Sequence, residues 1–225
     1  MFLGHFGVAL AAKKVAPRMS LGILVLAAQF ADLLWPIFLL LGWEQVRISP
    51  GITRVTPLDF VSYPYSHSLV AQLVWGVALG AVYFAIRRDS RGAVVAGLCV
   101  PTHWVLDFVA HQPDMPVAPG GARYGLGMWN SLLLTLVVEF VIYGVGIAIY
   151  LKATRARDRV GVYALWSLLI FLFVMYLGAT FGAAPPNVKA IAYMTLGMWL
   201  LVPWAGWADK HRDTNTAGSP AFRSE

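Results

Sequence analysis

The sequence predicts an all-α fold: a polytopic membrane helix bundle of six transmembrane helices plus a short N-terminal half-spanning helix. Three observations predict it. Apolar residues make up 59% and charged residues 12% of the 225-residue chain, and its mean hydropathy is +0.67, whereas a soluble domain carries about 25% charged residues. Six stretches reach the roughly 20 mostly apolar residues needed to cross a hydrocarbon core as a helix. Lysine and arginine alternate between the connections. The same composition excludes a disordered chain, an ordinary cytosolic enzyme and a nucleic-acid-binding module. A single cysteine, Cys99, excludes an internal disulfide and a cysteine-based zinc site.

In chain order, the opening MFLGHFGVALAAKKV is apolar but too short to cross. Lys13 and Lys14 follow its apolar run instead of preceding it, the reverse of a signal peptide. It reads as the half-spanning helix, entering from the basic side. Spans follow near 19–43, 67–87, 92–112, 127–151, 160–182 and 189–208. Pro36, Pro101 and Pro203 lie inside spans and predict kinks. Gly76 and Gly80, four apart, permit close helix approach. The 44–66 connection, with Pro50, Gly51, Pro57 and Pro64, is long enough to act as a lid. Residues 1–208 read as one domain without internal repeats, and 209–225 as a polar, disordered cytoplasmic tail.

Orientation follows from charge. Thirteen of the 17 basic residues are Lys13, Lys14, Arg18, Arg87, Arg88, Arg91, Lys152, Arg155, Arg157, Arg159, Lys210, Arg212 and Arg223, which six spans place on one side. Arg47, Arg54, Arg123 and Lys189 fall on the other. Positive charge concentrates on the cytoplasmic side, so both termini are expected there. The formal charge of +6 thus reads as topology before it reads as an acidic partner.

Ionisable residues inside apolar spans are costly and mark a site or a buried pair. Four of the five histidines qualify, His5, His67, His103 and His111, with Asp32, Asp107 and Glu139. Counting helical rise from the nearest basic residues puts His5 about 14 Å deep, Asp32 about 21 Å, Glu139 about 20 Å, His103 about 18 Å and Asp107 about 24 Å. His67 and His111 come out about 30 Å deep, at the outer end. Five groups converge near the middle of the bilayer with two above them, which predicts a cavity open toward the extracytoplasmic side.

His103, Asp107 and His111 follow an i, i+4, i+8 pattern and share one helical face. A histidine and a carboxylate four apart can reach one metal ion. Imidazole and carboxylate without thiolate suit zinc, with manganese, iron or cobalt as alternatives. Seven candidate ligands exceed the needs of one tetrahedral ion, so one or two ions fit. The metal candidates are His5, Asp32, His67, His103 and Asp107; Glu139 and His111 are further ligands or the general base.

Each residue also has a structural reading. His5 is read as a hydrogen-bonded packing residue, and Glu139 as a protonated acid bonded to Thr135 or to a carbonyl. His67 caps the second span with Ser66 or Ser68 as N-cap. Asp114 and Asp59 are loop carboxylates. Arg47, Arg54 and Arg123 either bind a phosphate or lipid headgroup above the metals or are ordinary interfacial arginines.

The segments MFLGHFGVALAAK, PYSHSL and THWVLDFVAHQPDMP followed by GLGMWNS, with a carboxylate in the first full span, resemble the YdjM-like, DUF457 group of bacterial inner-membrane proteins, described as metal-dependent hydrolases. The resemblance covers about residues 1–150. Gly4 and His5, His67, and the pair His103 and Asp107 match its pattern; Tyr63 stands where the family's HR-x-x-THS stretch has its leading histidine. The resemblance implies hydrolysis and a bacterial inner-membrane location. A looser likeness, at the level of the site, is to zinc phospholipases C.

The leading expectation is a membrane-embedded metal-dependent hydrolase of a phosphoester in a lipid or other amphiphile entering from the bilayer, with no nucleic-acid partner. A metal-ion or proton transporter, or a metal-binding membrane protein without hydrolysis, is the alternative. A structural protein whose polar cluster fixes helix packing is the third class.

Overall fold

The computed structural model describes residues 1–215. Helix α1 is Leu3–Val15, followed by α2 (Leu21–Ala28) and α3 (Phe30–Leu40). A hairpin of β1 (Gln45–Ile48) and β2 (Leu58–Ser62) leads through the single turn α4 (Pro64–His67) into α5 (Leu69–Arg87) and α6 (Ser90–Ala110). The two-residue strands β3 (Met115–Pro116) and β4 (Arg123–Tyr124) precede α7 (Leu132–Ala153) and β5 (Thr154–Ala156). Last come α8 (Arg159–Phe181), α9 (Val188–Leu196), a 3-10 turn at Gly197–Leu200, α10 (Leu201–Lys210) and β6 (Arg212–Thr214).

Five helices are long and apolar enough to cross a membrane, counting Val188–Lys210 as one, and six if the bent pair α2–α3 is one span. Their outward faces are apolar, with Val77 74% and Leu133 75% exposed, a surface that a water-soluble monomer rarely presents. Most of the helices begin on a polar cap. Ser20, Ser68, Asp89, Ser131, Asp158 and Asn187 each accept a backbone N–H from the first turn of α2, α5, α6, α7, α8 and α9, satisfying donors that have no intrahelical partner.

The first expected span, 19–43, is not one helix. It bends by 56° between α2 and α3, at Gln29 and not at Pro36, which lies inside α3. A break in the ladder frees backbone carbonyls, and the freed Ala28 carbonyl accepts the His103 Nδ1–H at 2.9 Å. The last span is likewise interrupted: the 3-10 turn precedes Pro203, which sits in the first turn of α10 where its missing N–H costs least.

Small residues set the packing. α1 lies against α7, α2 and α6; α5 packs on α6; α10 packs on α2 and α8; α9 packs on α3. A Cβ on Gly7 would stand 2.6 Å from the Ile142 carbonyl oxygen, and one on Gly146 would overlap the Gly7 carbonyl. That backbone-to-backbone crossing places α1 flush on α7. Gly76 and Gly80, singled out in the sequence, serve the α5–α6 crossing, meeting Gly97 and Ala93.

The expected tail, 209–225, is corrected in its first part. Asp209 ends α10 in the interior, accepting from Lys13 Nζ at 2.7 Å, the Tyr150 hydroxyl at 2.7 Å and the Leu21 amide at 3.1 Å. Residues 212–214 pair antiparallel with 154–156. Buried partners for Asp209 and a strand partner for β6 hold this segment; residues 216–225 lie outside the described part. The 44–66 connection folds as the β1–β2 hairpin, and its loop covers the cavity described next.

Candidate metal centre

Four elements deliver the expected ligands to one place. α1 brings His5, α3 brings Asp32, α4 brings His67, and α6 brings His103 and Asp107. Two overlapping groups form, His5–His103–Asp107 and Asp32–His67–His103, whose ligand atoms lie within 4.8 Å of one another in each group and could hold a metal ion. His103 Nε2 stands 3.1 Å from Asp107 Oδ2 and 3.7 Å from Asp32 Oδ1. His67 Nε2 stands 3.4 Å from Asp32 Oδ1 and 3.9 Å from Asp107 Oδ2. His5 Nε2 is 3.1 Å from Asp107 Oδ1, its ring stacked on His103 at 3.6 Å. The Met1 ammonium also bonds Asp107.

The far sides of the rings decide what the near sides can do. A carbonyl only accepts, so His103 carries its proton on Nδ1, bonded to Ala28 O. The Ser66 hydroxyl donates to Glu44 Oε2 at 2.6 Å, so it accepts from His67 Nδ1 at 2.7 Å. With Nδ1 so held, Nε2 of His67 and of His103 turns toward the Asp32 and Asp107 carboxylates, two acids beside which the Met1 ammonium on Asp107 supplies one positive charge. His103 Nε2 is buried and, though 3.1 Å from Asp107 Oδ2, is not aligned for a hydrogen bond to it. Nδ1–H held by a carbonyl or an oxygen acceptor, with Nε2 presented inward, is how metal-ligating histidines are oriented. The nitrogen and oxygen donors, without thiolate, suit a divalent transition ion.

His111 adjoins the cluster. It ends α6 in extended conformation, yet its Nε2 remains 3.9 Å from Asp107 Oδ2. Its Nδ1 is 3.0 Å from Asp114 Oδ1, which also accepts from the Tyr63 hydroxyl at 2.9 Å. Asp114, expected as a plain loop carboxylate, thus holds a site histidine. Burial, then the Asp114 charge, pushes the Tyr63 phenol up from its ordinary value and keeps it a donor. Glu139 lines the same cavity, but both its oxygens are engaged, accepting N–H from Phe2 at 2.8 Å and Gly4 at 2.7 Å. It caps α1 from a neighbouring helix, where negative charge is favoured. Thr135 instead donates to Met128 and Ser131 carbonyls.

Sequence reasoning missed Glu44. It is buried and accepts from the amides of Tyr65 and Ser66, both at 2.8 Å, capping the short α4 that carries His67. Nothing local in GWEQVR announces this, because the contact spans some twenty residues. The Arg123 guanidinium, read in the sequence as either a headgroup ligand above the metals or an ordinary interfacial arginine, donates to the Val61 carbonyl.

The cluster forms one end of a cavity of about 470 Å³, within the size range of small-molecule sites. Asp32, His67, Asp107, His111 and Glu139 line that end. Val55, Thr56, Leu58 and Phe60 of the hairpin roof it, and residues of α8, α9 and the 3-10 turn wall the remainder. Compared with family models, curated proteins and solved structures, the chain matches none.

Proposed function

We propose that this chain is a membrane-embedded metal-dependent hydrolase of a phosphoester in a lipid or related amphiphile, using one or two zinc ions. The carrying observation is that His67 and His103, each held through Nδ1, turn Nε2 toward Asp32 and Asp107, and that His67 and the two carboxylates line the polar end of an otherwise apolar cavity. His5, Asp32, His67, His103 and Asp107 would hold the metal. When bound, such an ion supplies Lewis acidity toward a phosphoryl oxygen and makes water a better nucleophile near neutral pH.

The remaining chemistry falls to His111. With Nδ1–H donated to Asp114, its Nε2 is free to accept the proton of an attacking water, and the carboxylate then stabilises the imidazolium. Glu139, the other candidate base, keeps its place at the start of α1. The resemblance to the YdjM-like group, a bacterial inner-membrane location and cytoplasmic termini belong to the same proposal; apolar helices of spanning length support its membrane component.

The test is elemental analysis of the detergent-purified protein beside a His103→Ala, Asp107→Ala variant, then assay of phospholipids and prenyl phosphates in micelles. One or two zinc ions per chain, lost in the variant, with phosphoester cleavage that follows metal content, is the expected result. No metal after reconstitution overturns the centre. Stoichiometric metal with no turnover overturns the hydrolase and leaves a metal-binding or transport protein.

A further inference from the structure

The cavity is much longer than its polar end needs. Beyond the cluster it runs between α8, which contributes Phe171, Met175 and Tyr176, and the α9–3-10 segment, which contributes Met194, Met198 and Leu200. α8 packs on α10 and α9 packs on α3, so the two walls attach to different helices. Met194 is 65% and Leu200 71% exposed while also lining the cavity. The cavity therefore reaches the outer apolar surface of the bundle partway along two spanning segments. Methionines on the wall suit a flexible, variable apolar guest.

Two orphaned polar groups say what the guest carries. The Tyr176 hydroxyl and the Trp35 indole N–H are buried without hydrogen-bond partners, and both residues line the cavity. Tyr176 is 3% exposed. An unpaired buried donor is expensive, and Trp35, edge-on to His67, and Tyr176, near Glu139 and the Thr180 hydroxyl, place these two beside the polar end of the cavity.

We infer that the space between α8 and the α9–3-10 segment receives one hydrocarbon chain of a bilayer amphiphile, which enters sideways from the membrane, while Tyr176 and Trp35 donate to the oxygens joining chain and headgroup. The inference rests on the hydrolase reading only for what happens to the headgroup; chain binding stands apart from turnover. Gly197 provides the means to block the chamber. It lines the cavity, its φ lies in the ordinary range, and a Cβ there meets nothing within 4 Å.

The experiment reconstitutes the full chain in phosphatidylcholine vesicles containing phosphatidic acid with a photoreactive diazirine in one acyl chain, and maps the labelled residues by mass spectrometry. Metal content is measured on the same samples. Labelling is expected at Met175, Met194 and Met198, falling about tenfold in Gly197→Phe and a few-fold in Tyr176→Phe, which deletes only the hydroxyl. Label spread evenly over outward residues such as Val77 and Ile86, or unchanged in both variants, overturns the inference. Chamber labelling without bound metal refutes the metal centre alone, and bound metal without chamber labelling refutes the chain site alone.

Discussion

Ser66 offers the sharpest probe of the centre, because its hydroxyl touches no candidate metal atom and acts only through His67. Ser66→Ala removes the acceptor 2.7 Å from His67 Nδ1 and the donor 2.6 Å from Glu44 Oε2, while Glu44 keeps both amide contacts. Stranding the buried Nδ1–H costs about 1–3 kcal/mol, and loss of such an outer partner lowers metal affinity about 10–100-fold, equivalent to about 1.4–2.7 kcal/mol. The two estimates agree. The assay is zinc competition against a chromophoric chelator on the detergent-solubilised protein, with thermal unfolding alongside. Ser68→Ala is the control: Ser68 caps α5 through the Ala71 amide at 3.2 Å, so its loss costs about 1 kcal/mol of stability and leaves zinc affinity unchanged. Wild-type affinity in Ser66→Ala, or equal weakening in Ser68→Ala, would falsify the tautomer argument.

Three further outcomes are expected. Lys13→Ala leaves Asp209 buried with its ion-pair partner gone and lowers stability in micelles by about 3–5 kcal/mol; an unfolding midpoint equal to wild type refutes the role of that pair. Gly146→Val pushes α1 off α7, costs about 1–3 kcal/mol and, by displacing His5, weakens zinc binding in the same competition assay; intact affinity separates His5 from the centre. At the basic end, hydrogen bonds from His211 and then the Gly161 amide hold the exposed Asp158 carboxyl below its ordinary 3.8. Because the folded value is the lower one, this cap contributes at neutral pH and is lost as pH falls below about 3.8 and through the folded value. Amide exchange in the first turn of α8 should therefore accelerate in acid, and a rate that follows only the intrinsic pH dependence of exchange excludes the cap.

Much of this was legible in the sequence. Long apolar runs have few alternatives to helix, so the spans near 67–87, 92–112, 127–151 and 160–182 appear within a few residues of α5, α6, α7 and α8. Buried ionisable groups are conspicuous against such a background, and all five proposed ligands converge. Spacing of four on one helix paired His103 with Asp107, because helical periodicity is local information. The break at Gln29 was not legible, since Pro36 was the stronger local signal and the carbonyl at the break, Ala28, finds its partner His103 on another helix.

Composition and periodicity by themselves determined the helical class, the apolar segments of spanning length and the list of polar residues that an apolar chain carries at a cost. Only the tertiary structure decided which atoms of those residues face inward. Glu44 reaches Ser66, Asp114 reaches His111 and Tyr63, and Glu139 reaches the start of α1. Each of these orients or occupies a polar group through a hydrogen bond, and most cross from one element to another. A hydrogen bond is specified by direction and a few tenths of an ångström, and sequence separation carries neither once the chain has turned back on itself.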